Sequence, residues 1–503
     1  MPLIGTDPLD GAADLRSIEF APALPTEPAI DQDTRAVIFD GGSDVRLPWV
    51  SSRDAAGVPA TKSSLSHGES VTSAFLFGAI TDAAAPLARP YCNVEHVRVL
   101  PSAINDMHAR DVIDWILDEL QAARDQGRPY ALANLSLGPR TPIVDDDPHE
   151  WTVRLDDFLS LGDLFMTVAC GNDGSHGQDL GRLQPPADGV NLFSVGASDG
   201  SHGKSLRAPY SCWGPGRSPG IVKPDVVAFG GAAASPLKLV DATSGLITRQ
   251  AGTSFSAPLA LRLAAGIRSA VDESVSATML HALLVSKAQF STRHHDQLEV
   301  GWGVLPSSIT DVLYSPRDEV VVLYQGKIIK GQPIRVPIPI PAGLSPDINV
   351  HVAATFSYRA PIDPAHPVAY TRAGLEIRFM PDGVNSDGFF SKTNYDVEQD
   401  LRQDAMKWEA CRHRSKRKKA GALTDPCFVI RYQGRDEGGD DDTEVLRDRL
   451  GNALPAEQQP GALPFALVVR IRVPGMVDLS SQVLSAYKVL SEVRLRTQVQ
   501  VRA

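Results

Sequence analysis

The sequence predicts an α/β protein: a parallel sheet with helices on both faces, followed by an antiparallel β-sandwich carrying a helical insertion. Three observations lead there. Between residues 36 and 290, short apolar runs alternate with helical patterns, the order that builds a parallel sheet. After about residue 315 the apolar period changes from helical to two, as in half-buried antiparallel strands. The chain has 503 residues, 43% hydrophobic and 22% charged, enough for two globular domains or three. The expected divisions are an irregular tail over 1–32, a first domain over 33–312, and a second over 318–503 with a charged insertion near 381–460.

The elements follow in order. Ala21 to Pro28 is rich in Ala and Pro and reads as irregular chain. Ala36-Val37-Ile38-Phe39 is a short, fully buried strand that ends in Asp40-Gly41-Gly42. Further strands are expected at 94–100, 130–137, 164–170 and 192–197, with helices at 67–80, 108–126 and 149–161 between them. The helix at 67–80 opens on Ser66-His67-Gly68-Glu69, where Ser66 and Glu69 fit a capping box. The helix at 108–126 repeats Val112, Ile113, Ile116, Leu117 and Leu120 on one face and stops at Gly127, before Pro129. A last, alanine-rich helix begins within Gly252-Thr253-Ser254-Phe255-Ser256-Ala257-Pro258, with Pro258 expected in its first turn.

In the second half, strands are expected where Ile348, Val350, Val352, Ala354, Phe356 and Tyr358 alternate. The same alternation recurs around Ile377, Ile430, Leu467 and Val499. Tyr395 to Arg412 has a helical pattern and leads into the basic run Arg414 to Lys419. Asp436 to Glu444 is acidic and glycine-containing, a loop. Both charge runs read as solvated surface, with a partner docking site as the alternative.

Composition excludes several classes. A net charge of −11 argues against a general nucleic-acid binder. No apolar run reaches 18 residues, so no membrane span is expected. Five scattered cysteines without a CxxC pair fit a reducing compartment. The Met1 to Asp7 start has no basic, apolar signal pattern, and the expectation is a cytoplasmic enzyme made without a prosegment. No cofactor or metal is expected, since His294-His295-Asp296 has no second ligand cluster at suitable spacing. Asn134-Leu135-Ser136 matches a glycosylation acceptor but lies in an expected buried strand. Cys170 reads as a small buried residue.

Ser254 stands out chemically. A hydroxyl at a helix start lies among free backbone N–H groups, where developing negative charge is stabilised; its alternative role is a helix N-cap. A serine nucleophile needs a base, and the base needs an orienting group. Of the twelve histidines, His67 has context, at the head of its helix. Asp40, at the C-terminal end of a strand, lies where α/β sheets build active sites.

These segments resemble the subtilisin-like serine protease family, which uses the chain order Asp, His, Ser. The resemblance extends to Asn134-Leu135-Ser136-Leu137-Gly138, Val168-Ala169-Cys170-Gly171-Asn172-Asp173-Gly174 and Ser194-Val195-Gly196-Ala197. It continues through Tyr210 to Gly216, Lys223 to Ala228 and Gly301-Trp302-Gly303-Val304, covering about residues 33 to 312. It implies Asp40, His67 and Ser254 as a catalytic triad and Asn172 as the oxyanion donor. It places Ser136, Leu137, Gly138, Ala169, Cys170 and Gly171 around the substrate, with room for a sizeable apolar side chain before the scissile bond. Three departures stand out: Gly41 where the family usually has Thr or Ser, Glu69 for a common Thr, and Thr72-Ser73 for a small Ala-Gly pair.

The implied function is a serine endopeptidase acting on protein or peptide through an acyl-enzyme. A catalytically inactive scaffold of the same fold and an esterase or amidase are the alternatives. The C-terminal stretch around Asp404 to Glu409 resembles bacterial members encoded beside AAA-type ATPases, which implies such an ATPase as partner.

Overall fold

The computed structural model describes residues 19–58, 65–100, 108–200, 205–217, 220–271, 274–390, 408–434 and 461–487, with 455 and 459. In its first part run β1 (Asp31–Asp40), β2 (Val50–Asp54), α1 (Leu65–Phe77), β3 (Cys92–Arg98), α2 (Ala109–Asp125), β4 (Leu132–Leu135), α3 (Glu150–Leu159), β5 (Phe165–Ala169), α4 (Gly177–Leu180), β6 (Phe193–Ser198) and β7 (Val226–Phe229). A hairpin of β8 (Leu237–Asp241) and β9 (Leu246–Gln250) then leads to α5 (Thr253–Ala270), α6 (Ala277–Lys287), α7 (Gln297–Val300) and α8 (Ile309–Leu313).

Seven of these strands form one sheet in the order β2-β3-β1-β4-β5-β6-β7, every pair parallel. The strand order reverses beside β1, so the C-terminal ends of β1 and β4 flank the crevice where such sheets place ligands. The continuous apolar run of β1 reflects burial on both faces. Ala36 and Ile38 pack into the core that holds α1 and α5, while Val37 and Phe39 pack into the core that holds α2 and α3. Small residues such as Ala257, Ala260, Ala264 and Ala265 keep α5 slim enough to lie buried in the first of these cores.

The second half holds β10 (Glu319–Ile328), β11 (Ile334–Pro337), β12 (Asn349–Tyr358), β13 (Ala373–Met380), β14 (Cys411–Lys419), β15 (Cys427–Gly434), β16 (Leu463–Arg472) and a helix, Leu479–Ala486. They form two antiparallel sheets, β10-β16-β12-β14 and β11-β15-β13. Phe356, Leu467, Val469 and Ile471 of the first share one core with Ile377, Phe379, Phe428 and Ile430 of the second. The basic run is a strand: Cys411–Lys419 pairs along β12, with Arg414, Arg417 and Lys419 exposed, so the run is surface as expected, although Lys418 bonds Asp387. The rest of the expected helix at 395–412, the acidic loop and the strand near Val499 lie outside the described residues.

The other face of the four-stranded sheet is buried too. Ala466 and Val468 point away from the sandwich into the core that holds α5 and α6. Every residue of α6 from Ala277 to Ser286 is buried, which is the signature of a helix covered all round. Charged and polar groups cross the same boundary. His281 Nε2 meets Asp225 Oδ1 at 3.2 Å, Lys223 Nζ meets Asp225 Oδ2 at 2.6 Å, and Arg359 Nη1 lies 3.3 Å from His281 Nδ1. The Asp225 carboxylate accepts only, so a neutral His281 donates to it through Nε2 and accepts from Arg359 through Nδ1. Asn191 pairs both ways with the backbone of Ala360, at 2.8 and 3.0 Å. Glu409 accepts from the N–H groups of Gly220 and Ile221, and Tyr370 donates to Asp156.

Candidate active site

The loop after β1 and the start of α1 touch because residue 68 is glycine. A Cβ there would lie 2.1 Å from the Gly42 carbonyl and 2.8 Å from His96 Cε1. The helix therefore approaches the strand end closely and brings the His67 ring to Asp40. His67 Nδ1 lies 2.8 Å from Asp40 Oδ1, and Asp40 is fully buried. The Gly41 N–H donates to the same oxygen at 2.7 Å. A carboxylate only accepts, so the proton sits on Nδ1 and Nε2 carries the lone pair. The expected capping box does not form: Ser66 lies inside the first turn, and Glu69 accepts from the Asp44 N–H.

Helix α5 starts at Thr253 with Gly252 as N-cap, so Ser254 is the second helical residue and the N-cap alternative falls away. Its first donors are accounted for in turn. Thr253 N–H bonds Asn172 Oδ1 at 2.9 Å and Phe255 N–H bonds the Gly252 carbonyl at 3.1 Å. Among the described residues nothing accepts from the Ser254 N–H, which is left at the positive end of the helix. Asn172 Oδ1 also accepts from Thr253 Oγ1 at 2.9 Å. Two donors on the oxygen fix the amide, so Nδ2 is its free, donating end.

Pro258 lies in the second turn of α5, a correction to the expected first turn. It has no N–H to offer the Ser254 carbonyl four residues earlier. Ser136 supplies the missing donor, its Oγ lying 2.8 Å from that carbonyl, and Asn134 Nδ2 donates to Ser136 Oγ in turn. Asn134 is fully buried, as its strand predicted. The Ser254 hydroxyl donates to the Ser136 carbonyl at 3.3 Å, a long bond. The His67 ring packs against Phe255, the next residue on α5, with centroids 5.6 Å apart.

A pocket opens beside Ser254. Ser136, Leu137, Gly138, Ala169, Gly171 and Asn172 line it, together with Arg140 and Gln184, which the sequence reading missed. Cys170 does not: its thiol turns to the Cys212 carbonyl at 3.1 Å and is fully buried. Burial pushes that thiol up to about 12, so it stays protonated.

His96 also went unremarked, because a lone histidine in a strand carries no pattern. It lies on β3 opposite Ile38, fully buried, with Nδ1 2.8 Å from Thr72 Oγ1. Burial pushes its pKa down to about 4, against the attraction of Asp40. The folded state thus holds it neutral, while an unfolded chain protonates it near 6.5. Its contribution to stability is complete above pH 6.5 and is lost as pH falls toward 4, at about 1.4 kcal/mol per pH unit. His96→Gln is expected to lower the slope of unfolding free energy against pH by about that amount between pH 6 and 4.5. Urea unfolding at stepped pH measures it, and an unchanged slope would mean the imidazole is not held neutral.

A carboxylate–imidazole pair, a serine at a helix start and a fixed amide thus gather along one edge of a parallel sheet, the layout of an α/β serine hydrolase. The chain belongs to the subtilase family of peptidases, whose model matches residues 50–303. That stretch holds His67, Ser136, Asn172 and Ser254 but begins beyond Asp40. Among solved structures it is similar to the prenylagaramide maturation protease PagA (22% identity, 56% of this chain and 93% of that one, TM-score 0.41). Others are a psychrophilic protease (20% identity, 57% and 94%, TM-score 0.44) and the epidermin leader peptide processing serine protease EpiP from Staphylococcus aureus (18% identity, 56% and 74%, TM-score 0.39). No curated protein matches the chain in a sequence comparison.

Proposed function

We propose that this chain is a serine endopeptidase with Ser254 as nucleophile, His67 as general base and Asp40 as the group that orients it. The observation that carries the reading is the 2.8 Å contact between His67 Nδ1 and the buried Asp40 carboxylate. It leaves Nε2 as the acceptor, on a helix packed against α5. A hydroxyl has one proton, so Ser254 Oγ gives up its long bond to Ser136 O when it hands that proton to His67. It then attacks a peptide carbonyl, and the imidazolium, steadied by Asp40, returns the proton to the leaving amine. The Ser254 N–H and Asn172 Nδ2 donate to the tetrahedral oxyanion. Water then hydrolyses the acyl-enzyme by the same relay.

Labelling of the full chain with a fluorophosphonate, followed by peptide mapping, tests the assignment. Modification of Ser254 alone is expected. Failure to label any serine would favour the inactive scaffold, and labelling with turnover of esters only would favour the esterase. Asn172→Ala is expected to lower kcat by about 10²–10³-fold, with KM changed far less, because the donor acts on charge that exists only in the transition state. Steady-state kinetics on a cleaved peptide measure that split; a fall carried by KM alone would remove Asn172 from the oxyanion site.

A cytoplasmic setting belongs to the same reading and is supported by five cysteines that are all buried free thiols. The partner implied by the sequence resemblance is an AAA-type ATPase, which would control access of protein substrates.

A further inference from the structure

The pocket beside Ser254 has a polar wall. Arg140 grips Asp173 with two bonds, Nε to Oδ2 at 2.7 Å and Nη2 to Oδ1. Gln184 Nε2 donates to the same Asp173 Oδ2 at 2.6 Å. A carboxylate accepts only, so the Gln184 amide is fixed with its nitrogen on Asp173 and Oε1 turned away. Gly171 makes room for that end, since a Cβ there would lie 2.5 Å from Oε1. Gln184 is only 9% exposed, yet among the described residues nothing donates to its Oε1 and nothing accepts from Arg140 Nη1. The wall therefore offers one unused acceptor and one unused donor group, and Asp173 cancels the charge of Arg140.

We propose that this pocket selects a carboxamide side chain, Gln or Asn, on the residue just before the scissile bond. The inference rests on the endopeptidase reading and names its substrate class. An amide carbonyl accepts from Arg140 Nη1 while its NH₂ donates to Gln184 Oε1, so both groups of the wall find a partner. A carboxylate has no proton to donate to the Gln184 oxygen, so two acceptors face each other there. A Lys or Arg brings a charge for which the wall has no unpaired carboxylate, since Asp173 is already held by Arg140. A Leu or Phe strips water from both groups and returns no hydrogen bond, the situation in which polar sites reject apolar analogues most strongly. The proposal departs from the apolar preference expected from the small residues of the wall, because Arg140 and Gln184 line the same pocket.

The test is the cleavage profile of the full chain on a peptide library, with active sites counted by fluorophosphonate. The expected result is kcat/KM at least 100-fold higher for Gln or Asn than for Leu or Phe before the cut. In Gln184→Met and, independently, Arg140→Met, the ratio of Gln over Leu peptides is expected to fall tenfold or more. Labelling combined with a preference for apolar, acidic or basic residues there would overturn the proposal and leave the endopeptidase intact. Absence of labelling, or labelling without cleavage of any peptide, would instead overturn the endopeptidase reading itself.

Discussion

Ser254→Ala is expected to abolish peptide cleavage, lowering kcat by on the order of 10⁶-fold, while the protein folds and melts as before. The size follows from the division of labour. Without the hydroxyl no acyl-enzyme forms, and His67 and Asp40 have no proton to move, so the three side chains fail as a unit. What survives is water attack helped by the Ser254 N–H and Asn172, both of which the variant keeps; the residue is on the order of 10³-fold over solution. Stability is expected to change by less than about 1 kcal/mol, because the lost bond to Ser136 O is long, at 3.3 Å, and an alanine suits a helix. The Ser254 carbonyl still accepts from Ser136 Oγ in the variant. Peptide turnover at high enzyme concentration and a thermal melt measure the two effects. Cleavage that persists in purified variant would end the triad assignment.

Most of the parallel sheet was legible because its strands are short, apolar and buried on both faces, and because its helices repeat apolar residues on one face. What escaped had no such pattern. Strand β2 is an edge with exposed residues at four of five positions, so no apolar run marks it. The β14 strand reads as charge because Arg414, Lys416, Arg417, Lys418 and Lys419 outnumber its apolar residues; pairing to β12 makes it a strand, not propensity. In the candidate site, Asp40, His67 and Ser254 stood out by type and neighbourhood, and Asn172 through the family resemblance. Residues that act through three-dimensional placement did not. Arg140 and Gln184 are 44 positions apart in sequence and become one wall only through Asp173. Thr253 fixes Asn172 from 81 positions away. A period-two pattern likewise reveals one face of β16 but says nothing about what covers the other.

That second covered face leads to the largest expected effect on stability. A chain ending at residue 315 is expected to be insoluble or molten, and unreactive toward fluorophosphonate. It would expose α6, whose residues Ala277 to Ser286 are all buried against α5 and the β12–β16 sheet. Fully burying one Leu, Val or Met side chain contributes about 1.5–3 kcal/mol. Met279, Leu280, Leu283, Leu284 and Val285 therefore carry as much as the whole net stability of a typical domain, about 5–15 kcal/mol. The cut would also leave polar groups stranded. Asn191 loses Ala360, Asp156 loses Tyr370, and the Gly220 and Ile221 N–H groups lose Glu409. The check is expression of residues 1–315 with near-ultraviolet circular dichroism, a denaturant titration and a labelling rate. Soluble protein with a cooperative transition and the full-length labelling rate would show that the second half is an appendage. The expected outcome bears on control of the enzyme. If the four-stranded sheet is a wall of the same core that holds α5, the helix of Ser254, it cannot regulate by detaching, and any gating must come from smaller movements or from a partner.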